Sequence, residues 1–128
     1  MSTITPVIRF ADAHAGIDFL ERAFGFRRGE IHTDDAGTVV HAELWLGDDC
    51  LMIGSDREDS APGPPAGTGS TYVVVEDADA HHARAVAAGA TVVLELVDQD
   101  YGSREYAAVD DEGNGWSFGT YRPGIPAS

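Results

Sequence analysis

Apolar and polar side chains alternate over residues 5–11, and the spacing then changes to that of a helix. Ile8 and Phe10 share one side of the alternating stretch, and Val7 and Arg9 the other, which is the period of a half-buried strand. Asp12 stands where an N-cap belongs. Ala13, Ile17, Leu20 and Phe24 then fall on one helical face, and Gly25 is placed to end the helix in a left-handed turn. Three further strands are predicted at 26–33, 38–46 and 50–54, separated by "DDAG" (34–37) and "GDD" (47–49). Residues 55–69 are rich in Pro, Gly and Ser and predict an exposed connector.

The plan then repeats. "TYVVVEDADAHHARAVAAGATV" reads as a strand, an Asp turn, an Ala-rich helix and a terminating Gly89. Asp77 matches Asp12 at an offset of 65, and Gly89 matches Gly25 at an offset of 64, so the second helix is about one residue shorter. Strands are predicted near 91–97, 103–109 and 115–121. The pattern is an internal duplication of a βαβββ unit. It predicts one α+β domain over 1–128, with modules 1–54 and 70–128 and the connector 55–69 between them. Each unit has an apolar sheet face for its helix, and the opposite face is left to line something.

Alternation assigns those opposite faces. On the first strand Thr5, Val7 and Arg9 face away from the helix; on the third, His41, Glu43 and Trp45 do so, while Ala42, Leu44 and Leu46 face it. In the second module Val73, Val75, Trp116 and Phe118 suit the core, leaving Ser70, Tyr72, Val74, Ser117, Gly119 and Tyr121 on the open side. A one-residue slip reverses a whole strand. The resulting candidate ligand-binding wall is Arg9, His41, Glu43, Trp45, Tyr72, Tyr106, Ser117 and Tyr121, with Thr5 and Ser70 beside it. Aromatic faces with a few polar groups suit a flat organic ligand, each good aromatic pair adding roughly 0.5–1.5 kcal/mol beyond area burial. The same rings could instead fill the space or a dimer seam. Arg9 and Glu43 are positioned for an ion pair across neighbouring strands, or to anchor a polar ligand; Arg104 is a second candidate anchor.

Composition narrows the partners. Of 128 residues 43% are hydrophobic, an ordinary globular balance. The net charge of -14 and pI near 4.4 argue against nucleic acid and anionic membranes, which need a basic face. They are compatible with a cationic ligand, or with solubility alone. No apolar run approaches the ~20 residues of a membrane span, and "MSTITPVIRF" lacks the pattern of a signal peptide, so a cytoplasmic protein is expected. Cys50 is alone and forms no intramolecular disulfide.

Catalytic motifs are sparse. Serines 55, 60, 70, 103 and 117 lack a nucleophile elbow, and "GPPAGTGS" lacks the Lys of a phosphate loop. His41 and Glu43 share a strand face with His32 nearby, a loose pattern without a diagnostic metal spacing. His14, His81 and His82 read as surface residues of the two helices.

The paired βαβββ units, the Gly-terminated helices and the late "DYGSREYAAVDDEGNGWSFGTYRP" resemble the vicinal oxygen chelate superfamily, which includes glyoxalase I, bleomycin-resistance proteins and extradiol dioxygenases. The resemblance covers nearly the whole chain. It implies a cup-shaped mixed sheet with helices on its outer face, and a homodimer. It also implies metal-ligand positions, about seven residues before each turn Asp, on the fourth strand, and three residues after the Asn of "EGN". In this chain those are Thr5, Ser70, Met52 or Gly54, and Ser117. Hydroxyls and a thioether do not make a divalent-metal site. No metal or other cofactor is therefore expected. The expectation is a metal-independent protein that sequesters an aromatic or cationic compound, as bleomycin-resistance proteins do. Alternatives are a lyase, isomerase or dioxygenase of the same fold using a relocated metal or a His41/Glu43 acid–base pair, and a regulatory module with an empty cup.

Overall fold

The computed structural model describes residues 4–56 and 63–124. Residues 57–62 of the expected connector, with Ser60, and the chain ends lie outside the described residues. The first unit runs β1 (Val7–Phe10), α1 (Ala13–Phe24), β2 (Arg27–Thr33), β3 (Val39–Leu46) and β4 (Asp49–Ser55). The second runs β5 (Ser70–Val74), α2 (Ala78–Ala87), β6 (Thr91–Asp98), β7 (Arg104–Val109) and β8 (Gly115–Gly119). Among the described residues no helix is long and apolar enough to cross a membrane.

Each unit forms its own four-stranded mixed sheet, ordered β1-β4-β3-β2 and β5-β8-β7-β6, with one parallel pair (β1–β4, β5–β8) and antiparallel neighbours elsewhere. The strand ladders are thus two matching sheets rather than one continuous surface. Both helices begin as the sequence predicts: Asp12 accepts from the Ala15 N–H and Asp77 from the Ala80 N–H. Gly25 closes α1 at φ 84°, a backbone region open to glycine without strain.

The buried faces of both sheets and both helices belong to one core. Phe24, at the end of α1, reaches the second unit, with ring centroids 5.7 Å from Trp116 and 4.7 Å from Phe118. The last carbonyls of a helix have no partner within it. Here α2 supplies partners from the side: Arg84 donates to the carbonyls of Glu21 and Arg22 at 3.0 and 3.1 Å, and His81 Nε2 donates to Phe24 O at 3.0 Å. Because a carbonyl only accepts, Nε2 carries the proton, and Nδ1 accepts from the Tyr106 hydroxyl at 2.6 Å. The expected surface histidine is therefore an internal connector between the two helices and β7.

Burial first, and then the nearby Arg84 charge, push the His81 imidazole below its ordinary pKa, against the opposing pull of its bond to Phe24. A depressed native pKa means that the unfolded chain takes up the proton first as pH falls. The stability tied to neutral His81 is complete above about pH 6.5 and is lost as pH drops through the native pKa. The urea midpoint is expected to fall more steeply between about pH 7 and pH 5 in the wild type than in His81→Gln. Parallel pH profiles would contradict this role.

The stretch at 110–116 is a structural knot. Gly113 N–H donates to Asp110 O, and Asp110 N–H to Asn114 O, closing a tight β7–β8 turn. The buried Asp110 carboxylate takes the N–H groups of Glu112 and Asn114 and, at 3.0 Å, the indole N–H of Trp116. Glu112 reaches across to the first unit and accepts from the Ala11 and Asp12 N–H groups at 2.6 and 2.8 Å, at the start of α1. Asn114 accepts from the Gly69 N–H. The polar residues of this motif hold architecture, and Ser117, just beyond it, emerges on the open face.

Candidate ligand-binding site

The register of the second sheet builds the site. Tyr72 lies opposite Ser117, which lies opposite Ala107; Val74 and Gly119 align with Glu105. Trp116 and Phe118 are buried, so Ser70, Tyr72, Ser117 and Glu105 share the open face. The chain after β8 folds back along this face. Its path is held by Tyr121 N–H donating to the buried Ser103 hydroxyl at 3.0 Å, and by the Tyr72 hydroxyl donating to Tyr121 O at 2.7 Å.

These residues border an open cleft of about 420 Å³ lined by Ser70, Thr71, Tyr72, Tyr101, Glu105, Ser117, Tyr121 and Pro123. Tyr101 and Tyr121 meet edge to face, with centroids 5.7 Å apart and planes at 87°, so they form a corner. The Tyr101 hydroxyl donates to Glu105 Oε1 at 2.8 Å. That bond pushes the Tyr101 phenol up to about 12. Tyr101 therefore stays neutral at neutral pH. Gly119 is the floor: a Cβ there would come within 2.6 Å of both Glu105 Cγ and the Tyr72 hydroxyl.

Of the residues assigned from alternation, Tyr72, Ser117 and Tyr121 meet here, with Ser70. Tyr106 does not. It lies opposite Phe118 on β7, fully buried on the helix side with its hydroxyl on His81. The tyrosine's apolar body fills the core, and its polar tip finds a partner there. The correct parity puts the adjacent Glu105 in the cleft, a residue that sequence reasoning missed together with Tyr101. The signal existed: a turn closing 110 on 114 pairs Val109 with Gly115, and counting back brings Glu105 opposite Gly119.

Arg9, His41, Glu43 and Trp45 lie half-buried on the open face of the first sheet, outside this cleft. The Arg9–Glu43 pair expected across neighbouring strands is separated by β4, which lies between β1 and β3. Glu43 instead accepts from the Trp45 indole at 3.3 Å. The His41 and His32 rings are 5.7 Å apart. Among the described residues no three His, Cys, Asp or Glu side chains converge as a metal group. Arg104 points to the other side of β7, to Asp79 and Asp98, at 3.0 and 3.1 Å.

A larger cleft, about 620 Å³, runs along the seam between the units, with Phe26, Leu51 and Val73 among its apolar lining and Asp48, Asp49 and Glu76 among its acidic groups. Cys50 lines it, its thiol pushed up by burial and then by Glu43, so it stays protonated. Of the wall residues only Tyr72 reaches this seam. The smaller cleft combines ring faces with a carboxylate and gathers Tyr72, Ser117 and Tyr121 of the wall assigned from alternation, which makes it the candidate site.

Two tandem βαβββ units with an aromatic cleft on an open sheet face define a paired-module α+β protein. The chain belongs to the Glyoxalase/Bleomycin resistance protein/Dioxygenase superfamily, whose family profile matches residues 4–118. It is similar to TioX from Micromonospora sp. ML1, at 30% identity and a TM-score of 0.80, over 93% of this chain and 98% of that one. An uncharacterized protein of Mycobacterium bovis is 34% identical over 124 residues, covering 91% of this chain and 81% of its own. A glyoxalase/bleomycin resistance protein from Catenulispora acidiphila shares the fold, at a TM-score of 0.70 and 19% identity over 93% and 97% of the two chains.

Proposed function

We propose that this protein is a metal-independent binder that sequesters a small aromatic or cationic organic compound. The observation that carries this reading is the cleft, where three tyrosine side chains surround a carboxylate that no described basic side chain pairs with. The four positions where the superfamily's metal enzymes carry ligands are Thr5, Ser70, Met52 or Gly54, and Ser117 in this chain, which supports binding without a metal. Protection by sequestration needs affinity and abundance and no catalytic group.

A homodimer fits the same reading. Within one chain the open faces carrying Trp45 and Tyr72 lie outside a shared core, so a second copy is the simplest way to lay one face over the other. Light scattering is expected to give about twice 13.6 kDa. A monomeric mass would remove that element.

A thermal-shift screen of aromatic and cationic compounds, repeated after chelation, tests the binding reading. Hits that stabilise the wild type equally with and without chelator, and that lose affinity about tenfold or more in Tyr72→Ala, are expected. Hits that need added metal, or that turn over, would replace this reading with an enzymatic one.

A further inference from the structure

We propose that the cleft is a cage for an alkylated ammonium group, with Tyr72, Tyr101 and Tyr121 as its walls and Glu105 as the counter-charge. This rests on the binding reading above and selects the cationic class.

The hydrogen bonds already made by the cleft carry the choice. The Tyr72 hydroxyl donates to Tyr121 O and the Tyr101 hydroxyl to Glu105, so both of these phenol protons are used within the protein and the ring faces remain for a ligand. Tyr72, Tyr101 and Tyr121 are 39%, 58% and 46% exposed within one chain, so their rings are accessible to a ligand. Ring faces carry negative potential and attract a cation held over them. A methylated ammonium is weakly hydrated and needs no hydrogen-bond partner, so it suits a site where ring faces and a carboxylate supply the attraction.

The charge points the same way. Glu105 Oε1 accepts one phenol hydrogen bond, and no described arginine or histidine forms an ion pair with this carboxylate. The chain has no lysine. Arg104, adjacent in sequence, is turned through the sheet to Asp79 and Asp98. Arg122, next to Tyr121, lines the seam cleft instead. The net charge of -14 adds a long-range attraction for a cation. A metal ion is a poor fit, since the cleft lining offers one carboxylate and otherwise only neutral hydroxyl side chains.

The test is an NMR titration of the full chain with choline and with its neutral isostere, 3,3-dimethyl-1-butanol. Choline is expected to shift the Tyr101, Glu105 and Tyr121 resonances and to bind at least about tenfold tighter than the alcohol. Glu105→Gln keeps an acceptor for Tyr101 and should fold as the wild type does. It is expected to weaken choline about tenfold while leaving the alcohol unchanged. Tyr101→Leu, which removes the ring, is expected to weaken choline more than Tyr101→Phe, which keeps it. Equal binding of choline and alcohol, or an unaffected Glu105→Gln, overturns the cage. If choline fails while another compound from the screen shifts the same resonances, the cage is wrong and the binding reading stands. If no compound shifts them, both fall. Phosphatidylcholine vesicles separate the sources of the cation. Choline binding without co-sedimentation supports a soluble ligand, and co-sedimentation released by free choline supports the same cage on a lipid headgroup.

Discussion

Phe24→Ala is expected to cost about 3–5 kcal/mol, a large share of the stability of a domain this size. The ring is 1% exposed and packs against Phe19 of its own unit and against His81, Trp116 and Phe118 of the other. Removing it leaves a void that neither sheet can close alone, because the surrounding rings are fixed by their own strands. The effect should reach both units. Trp45 reports on the first and Trp116 on the second, so urea unfolding of Trp45→Phe and of Trp116→Phe isolates each signal. One shared transition, shifted for both reporters by Phe24→Ala, is the expected result. Separate midpoints for the two tryptophans would show that the units unfold independently and that Phe24 does not bind them together.

Asp110→Ala is expected to cost about 3 kcal/mol or more. Its carboxylate is buried and satisfies two backbone N–H groups and one indole N–H. Deleting it leaves those donors without a partner, at about 1–3 kcal/mol for each buried group. Asp34 makes the same turn in the first unit, accepting from the N–H groups of Ala36 and Thr38, but it is exposed. Water replaces it there, so Asp34→Ala is expected to cost no more than about 1 kcal/mol. Denaturant midpoints of the two variants check the contrast; similar losses would mean that turn geometry, rather than burial, sets the cost. Asp110→Ala should also loosen Glu112, and with it the tie between the β7–β8 turn and the start of α1.

Most of the fold was legible because its signals are local. An N-capping Asp, four apolar residues at helical spacing and a terminal Gly each act within one or two turns of chain, so α1 and α2 begin where the sequence predicts. The duplication was legible for the same reason, since both units repeat those signals at nearly one offset. Face assignment held on β1, β3, β5 and β8, where the buried side chains are unambiguous aliphatic or aromatic groups. It failed on β7. Glu105-Tyr106-Ala107-Ala108 offers a Tyr that suits a cleft wall or a core with a hydrogen-bond partner, and the partner, His81, lies 25 residues away.

The sequence alone therefore determined the two βαβββ units and their helix limits, and its repeated pattern pointed to the superfamily. Those follow from short-range backbone preferences, apolar periodicity and the chemistry of individual side chains. Tertiary structure decided which open faces stay apart, that Tyr106 belongs to the core, and that Tyr101 and Glu105 join Tyr72 and Tyr121 in one cleft. These depend on strand register and on how α2 meets the end of α1. Register is set by the pairing of β5, β8 and β7, and the meeting of the helices by hydrogen bonds such as Arg84 to the Glu21 and Arg22 carbonyls, between groups more than 60 residues apart. No local pattern encodes a contact at that separation, because many side chains could satisfy the same carbonyls and only the packed core selects one.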